Sequence, residues 1–367
     1  MKSSYIPFQS MDSNSHLKKW RRVGIVAVIL VLGFYILVPK MNQEEPKYPP
    51  HFSRKFLARK TSVSGVRFLS ANQATQVRLG NHLFELAAVY GISQTLARTP
   101  VFWIRDERYV ENLERTRQIM PGLVEQFVVN SGEPPVNKTA FHSKVCSFDD
   151  PKRLADRRDE YLHLSGHYYQ SWKYFADRKE ELLSYLIPPK RFEGLPESND
   201  STLVNCIHVR RGDFKEVGYH ASEELFIRKA KEFIENRQHH KKHLSQKTVI
   251  FGDDPAFMSQ LFPDTVHSNA WIASSTAKHF VSRNSPPEDL LYSSQHCDSV
   301  LISAPVSTFG WWIGYLSKGN DVFYLDVRTV NDGLYKAGQI ILEDLYPPRW
   351  TSLKMNADNS TVIESEI

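Results

Sequence analysis

The chain of 367 residues carries a formal net charge of +5, with 41% hydrophobic, 24% charged and 12% aromatic residues and three cysteines. That apolar content excludes a disordered chain and falls short of a polytopic membrane protein, while Cys146, Cys206 and Cys297 allow at most one intramolecular disulfide and exclude a cysteine-stapled scaffold. The excess charge lies in the first forty residues, which hold six Lys or Arg and one acidic residue; from residue 41 onward basic and acidic residues number forty each. A body so balanced, carried behind a membrane anchor, gives no ground for a nucleic-acid partner.

From the N-terminus, residues 1–22 read as a cytosolic tail, 23–38 as a transmembrane signal-anchor and 39–62 as a lumenal stem. Val23 to Val38 contains no charge and as a helix reaches roughly 24 Å, enough for a thin bilayer once Trp20 and the flanking bases snorkel. Lys18, Lys19, Arg21 and Arg22 hold the N-terminus in the cytosol and send the rest into the lumen, a type II topology. A cleaved signal peptide is the alternative. It fits less well, because the apolar run passes directly into Pro39-Lys40 with no small-residue cleavage site. Three glycosylation acceptors, Asn137, Asn199 and Asn359, suit a lumenal body.

An N-terminal α/β domain is expected over 63–190. It has a strand over 66–69, a helix over 81–98 and strands over 101–104 and 161–164. An aromatic stretch over 167–175 then leads to a helix ending near 185. The turn-rich segment 187–200 marks the boundary. A second α/β domain is expected over 191–350, opening with a strand over 203–209, a polar turn over 210–213 and a helix capped by Ser222 that runs to about 237. Next come a strand over 248–251, a helix over 256–262 entered through Asp254-Pro255, and a helix over 287–296. A strand over 299–303, a helix holding Trp311, Trp312 and Tyr315, and a strand over 321–325 complete it; residues 351–367 read as a tail. Strands and helices alternating at these lengths imply parallel sheets covered on both faces. The fold class is therefore α/β, two Rossmann-like domains facing a cleft, preceded by one transmembrane helix. The two tryptophans and Tyr315 read as core.

His208-Val-Arg-Arg-Gly-Asp213 stands at the carboxyl end of the 203–209 strand, where open parallel sheets bind ligands. A guanidinium fork matches two phosphate oxygens, and consecutive residues of an extended chain point opposite ways. One arginine can thus hold a diphosphate while the other pairs with Asp213.

The block 208–214, HVRRGDF, resembles the first motif of the alpha-1,2-fucosyltransferases. Ser307 to Leu316 (STFGWWIGYL), followed by Asp321 to Leu325, is similar to that family's final motif, and Val77 to His82 (VRLGNH) to its glycine-rich N-terminal motif. Pro287 to Leu291 with Gln295 to Asp298 is a looser match. The resemblance spans about 64–348 and departs at Val77, where the family has glycine, and at His82, where it has glutamine. It implies a GT-B-like fold, a type II Golgi membrane location, and inverting transfer of L-fucose from GDP-β-L-fucose to the 2-hydroxyl of a β-galactoside-terminated glycan. Arg210 would neutralise the leaving diphosphate, His208 and Arg211 would complete its pocket, and Ser307, Thr308 and Phe309 would add donors at a helix N-terminus. Asp289 would contact the nucleoside or cap its helix. Asp213 would orient an arginine or serve as the base; Glu85, one turn into the helix after the glycine-rich motif, is a further base candidate or else a plain surface glutamate. Arg78, Asn81, His82 and Glu85 would line the facing, acceptor wall. The chain has no Asp-x-Asp pair, so no metal and no cofactor are expected beyond the GDP-fucose donor. A protein O-fucosyltransferase using the same donor, and a glycan-binding module without catalysis, stay open as alternatives.

Overall fold

The structure is a computed structural model that describes residues 65–238, 244–267 and 277–366; the expected tail, anchor and stem lie outside the described residues. Among the described residues no helix is long and apolar enough to cross a membrane.

The first half forms β1 (Phe68–Ala71), α1 (Leu79–Thr95), β2 (Thr99–Ile104), α2 (Glu107–Arg117), β3 (Val128–Ser131), β4 (Lys138–Thr139) and β5 (Tyr161–Leu164). These strands make one parallel sheet in the order β3-β2-β1-β5-β4. After β1 the chain winds to one side through β2 and β3, whereas β4 and β5 occupy the other, so the winding reverses between β1 and β5. Helix α1 is buried over nearly its whole surface, which makes it a core helix rather than an amphipathic one. By contrast α2 is a surface helix, capped by the Asp106 carboxylate accepting from Arg108 N. The aromatic stretch gives a 3-10 turn, Trp172–Phe175, and the helix expected to reach 185 is the short α3 (Lys179–Ser184).

The second half forms β6 (Thr202–Val209), α4 (Gly212–Val217), α5 (Glu224–Arg237), β7 (Ser245–Gly252), α6 (Pro255–Gln260), β8 (Thr265–His267), β9 (His279–Val281), α7 (Pro286–His296), β10 (Ser299–Ile302), α8 (Thr308–Leu316), β11 (Asp321–Leu325), β12 (Thr351–Met355) and β13 (Val362–Glu364). Their order is β13-β12-β11-β10-β6-β7-β9-β8, parallel except at β13. Here the winding reverses between β6 and β10. Two expectations are corrected. Residues 351–367 are no tail, since they supply β12 and β13. Nor does Ser222 cap α5: Glu223 holds the cap position, and the Ser222 hydroxyl is spent accepting from Arg210 N (2.9 Å) and meeting Ser303 Oγ (2.7 Å).

The halves meet where α1 packs on α8. Trp311, Trp312 and Tyr315 are buried, as expected of core, and surround Phe84 and Phe175. Phe84 lies 4.5 Å from the Trp311 ring and 5.2 Å from Trp312, and Phe175 stacks on Trp312 at 5.6 Å. The indole N–H groups, which burial obliges to find acceptors, donate to Leu345 O (2.8 Å) and Gly80 O (3.0 Å).

Cys206 in β6 and Cys297 at the end of α7 form a disulfide across 91 residues of chain, and Cys146 is a buried free thiol. Closing so long a loop restricts the unfolded chain strongly. Replacing both Cys206 and Cys297 by Ala is expected to cost about 2–5 kcal/mol, read as a lower urea midpoint with an unchanged native circular dichroism spectrum.

Candidate functional site

A cavity of about 310 Å³ opens at the carboxyl ends of both sheets, beside both winding reversals. Open α/β sheets leave a crevice at such points because successive loops diverge there. From the first sheet come the loop after β1 with Arg78, Gly80 and Asn81 at the start of α1, and Tyr168 and Gln170 after β5. From the second come Arg210 and Asp213 after β6, and Ser307, Thr308 and Phe309 at the start of α8.

The β6 turn is held by charge. Arg210 places Nη2 2.7 Å from an Asp213 oxygen and Nη1 3.3 Å from Asp253 Oδ2, and Arg78 Nη2 reaches Asp213 at 3.4 Å from the opposite wall. Asp213 is the one carboxylate among the lining residues. Burial pulls the Arg210 pKa below its ordinary value, and Asp253 opposes that. Its Nε stays buried without an acceptor. An orphaned guanidinium N–H is costly unless a ligand supplies the oxygen.

At the start of α8 the Ser307 hydroxyl accepts from Gly310 N (3.3 Å) and the Ser307 amide donates to Ala304 O (3.1 Å). Ser307 is therefore a helix cap whose amide is used. The Thr308 and Phe309 amides carry no hydrogen bond within the described residues and, with the helix dipole, offer donors to an anion.

Several expected residues stand elsewhere. Arg211 is not among the lining residues. Its Nε donates to Asp254 (3.1 Å), and its guanidinium lies 3.9 Å over the Phe257 ring, because the strand's alternation sends it away from Arg210. His208 is buried behind the wall, against Phe309 and beneath Gly310. Burial first and Arg210 second depress its pKa to about 3, so it is a neutral support and not a charged phosphate ligand. Asp289 is buried at the start of α7 and accepts from Ser282 Oγ (2.6 Å); burial pushes its pKa well above the carboxylate range. Capping of α7 falls instead to Ser285 and Glu288. Asn81 accepts from Gln170 (2.9 Å), which in turn accepts from the Cys146 thiol.

His82 and Glu85 lie behind the cavity, both buried. His82 Nε2 meets Val77 O at 3.1 Å. Glu85 Oε1 accepts from Ala74 N and Tyr168 N, each at 3.0 Å, so one carboxylate clamps two wall loops. Sequence reasoning missed Asp253, Tyr168 and Gln170. The acidic pair after β7 was a usable signal, since adjacent strand ends must balance the arginines' charge; for Tyr168 and Gln170 no signal existed.

Two sheets, parallel except at β13, meeting at their winding reversals with an arginine and a helix N-terminus between them define an α/β protein with a cavity suited to an anionic ligand. Residues 66–354 match the family described as Glycosyl transferase family 11, and the chain belongs to that family of glycosyltransferases. It is 41% identical to "Putative galactoside 2-alpha-L-fucosyltransferase svh-11" of Caenorhabditis elegans, over 93% of this chain and 92% of that one. Two further relatives from that organism are "Putative glycosyltransferase C06E1.7", 42% identical over 81% of this chain and 82% of its own, and a "Galactoside 2-alpha-L-fucosyltransferase", 34% identical over 75% and 74%.

Glu85→Gln keeps an oxygen for both amides and is expected to retain transfer activity within about fivefold, whereas a general base would lose about a hundredfold or more. Glu85→Ala should lower stability by about 1–3 kcal/mol; activity assays and melting of both variants check this. His142, His163 and His208 are held by burial at pKa values of about 4, 4 and 3, below the ordinary 6.5. Unfolded chains take up these protons first, so their contribution is complete above pH 6.5 and is lost as pH falls toward 4, by up to about 1.4 kcal/mol per unit for each histidine. The melting temperature should decline steadily over that window.

Proposed function

We propose that the protein transfers L-fucose from GDP-β-L-fucose to the 2-hydroxyl of a terminal β-galactoside on glycoprotein or glycolipid glycans, with inversion and without a metal. The observation that carries the reading is the buried, acceptorless Nε of Arg210 together with the Thr308 and Phe309 amides, unbonded within the described residues, at residues that line one cavity, in a chain whose relatives include proteins named galactoside 2-alpha-L-fucosyltransferase. The bond from the fucose anomeric carbon to the β-phosphate oxygen breaks as the galactose oxygen attacks from the opposite face. Arg210 and the two amides take up the charge appearing on the diphosphate. Asp213 orients Arg210 and Arg78 and, as the lining carboxylate, accepts the hydroxyl proton. GDP leaves with both phosphates. In this role the C-terminal half binds donor and the α1 side of the cavity binds acceptor, a GT-B-like division of labour.

The reading also places the protein in the Golgi lumen on a type II anchor. A buried disulfide suits an oxidising compartment, and Asn137, Asn199 and Asn359 are all exposed. The direct test incubates full-length protein with GDP-fucose and a β-galactoside and determines the product linkage; no fucosylated product, or a linkage other than α-1,2, overturns the reading. Arg210→Lys keeps the charge but loses the fork, and should retain the fold while losing about a hundredfold in rate, roughly 3 kcal/mol. Turnover should persist after exhaustive chelation.

A further inference from the structure

A carboxamide side chain can face either way, and its hydrogen-bonding neighbours decide which end it presents. Asn81 and Gln170 both line the main cavity. Gln170 Nε2 donates to Asn81 Oδ1 at 2.9 Å, and Gln170 Oε1 accepts from the Cys146 thiol at 3.1 Å. We propose that Cys146 and Gln170 are positioning residues for transfer: their relay turns the Asn81 amide so that Nδ2, a donor, meets an oxygen of the bound substrate. The proposal rests on the fucosyl-transfer reading above and adds the two residues that set the polarity of one contact.

The relay runs one way for a chemical reason. A thiol is a donor and only a weak acceptor, and burial raises the pKa of Cys146 well above its ordinary value, so the proton stays on sulfur. Gln170 is itself buried, and turning its oxygen to the thiol satisfies both groups. The reverse would point an N–H at the sulfur and leave the S–H without its acceptor. With Oε1 so placed, Gln170 has only its NH2 group to offer, and Asn81 must answer with Oδ1. Asn81 Nδ2 is then the unspent end. It makes no hydrogen bond within the described residues and belongs to a half-exposed side chain on the cavity wall. Asn81 also follows Gly80, where α1 packs against the backbone of Thr308 and Phe309, so it stands beside the start of α8.

Both relay residues are fixed from outside the cavity. Cys146 N donates to Gln339 O (2.9 Å), Cys146 O accepts from Ile341 N (2.8 Å), and Gln170 N donates to Val145 O (3.2 Å). Tyr168 and Tyr169, directly before Gln170, have φ of 68° and 47°. Bulky residues keep that conformation only where surrounding contacts enforce it, and Glu85 supplies one such contact by accepting from Tyr168 N. A polar group held this way needs no reordering when substrate arrives.

The test measures transfer by full-length protein with GDP-fucose and a β-galactoside, alongside melting curves. Gln170→Glu can only accept, so it takes the thiol proton and Asn81 Nδ2 together and turns Asn81 Oδ1 to the cavity; kcat/KM should fall about tenfold or more. Cys146→Ala frees Gln170 to flip and should cost about threefold to fivefold, and Cys146→Ser, which restores a donor, should recover most of that loss. In an Asn81→Ala background, Gln170→Glu should have less than about a twofold further effect, because residues acting through one group are not additive. Full activity of Gln170→Glu, losses that multiply in the Asn81→Ala background, or a serine that rescues nothing overturns the relay while leaving fucosyl transfer standing. If Gln170→Glu fails to fold, the two Cys146 variants decide. Wild type that fucosylates no β-galactoside overturns both readings.

Discussion

The close approach of α1 to α8 is the constraint on which the site depends. A Cβ at Gly80 would stand 2.7 Å from Phe309 N and 2.8 Å from Thr308 C, so the two helix starts touch backbone to backbone. Trp312 fixes the contact by donating to Gly80 O, and Phe84 wedges between Trp311 and Trp312. Because each helix begins directly after a strand at a winding reversal, bringing the helices together brings the two reversals together. The cavity is the space left over.

That approach also points two positive helix ends at one place, with Arg78 and Arg210 between them. Such an arrangement repels itself unless negative charge balances it. Asp213 serves both arginines, and Asp253 serves Arg210 from the next strand. The carboxylates hold the guanidiniums in place before a ligand arrives, which spares reorganisation at the moment of bond breaking. They leave Arg210 Nε and the Thr308 and Phe309 amides for the ligand. Behind them, the neutral His208 and the clamp at Glu85 support the walls.

Much of the fold was legible in the chain. The strands over 202–209, 299–302 and 321–325, and the helices over 286–296 and 308–316, carry continuous apolar runs or caps that local physics reads directly. Residues 362–364 did not look like a strand, because an edge position half exposed to solvent needs no continuous apolar run; residues 351–355, paired on both sides within the sheet, alternate polar and apolar too briefly to show one. The turn over 210–213 passes into the helix Gly212–Val217, in whose first turn Asp213 pairs with Arg210 and with Arg78, the latter remote in the chain. In the same way Ser222 has the composition of a cap, yet its hydroxyl is taken by Arg210 N and Ser303, partners remote or invisible in the linear order.

By itself the sequence determined that a parallel α/β body carries an arginine-bearing motif at a strand end and a capped, glycine-containing helix after another. Strand alternation, caps and apolar runs are local, and the chain states them. Which arginine faces the cavity, why Arg211 rests on Phe257 and why Glu85 is buried behind the wall were decided by tertiary structure. Those outcomes depend on contacts between residues up to a hundred or more positions apart, and no local preference encodes such a contact.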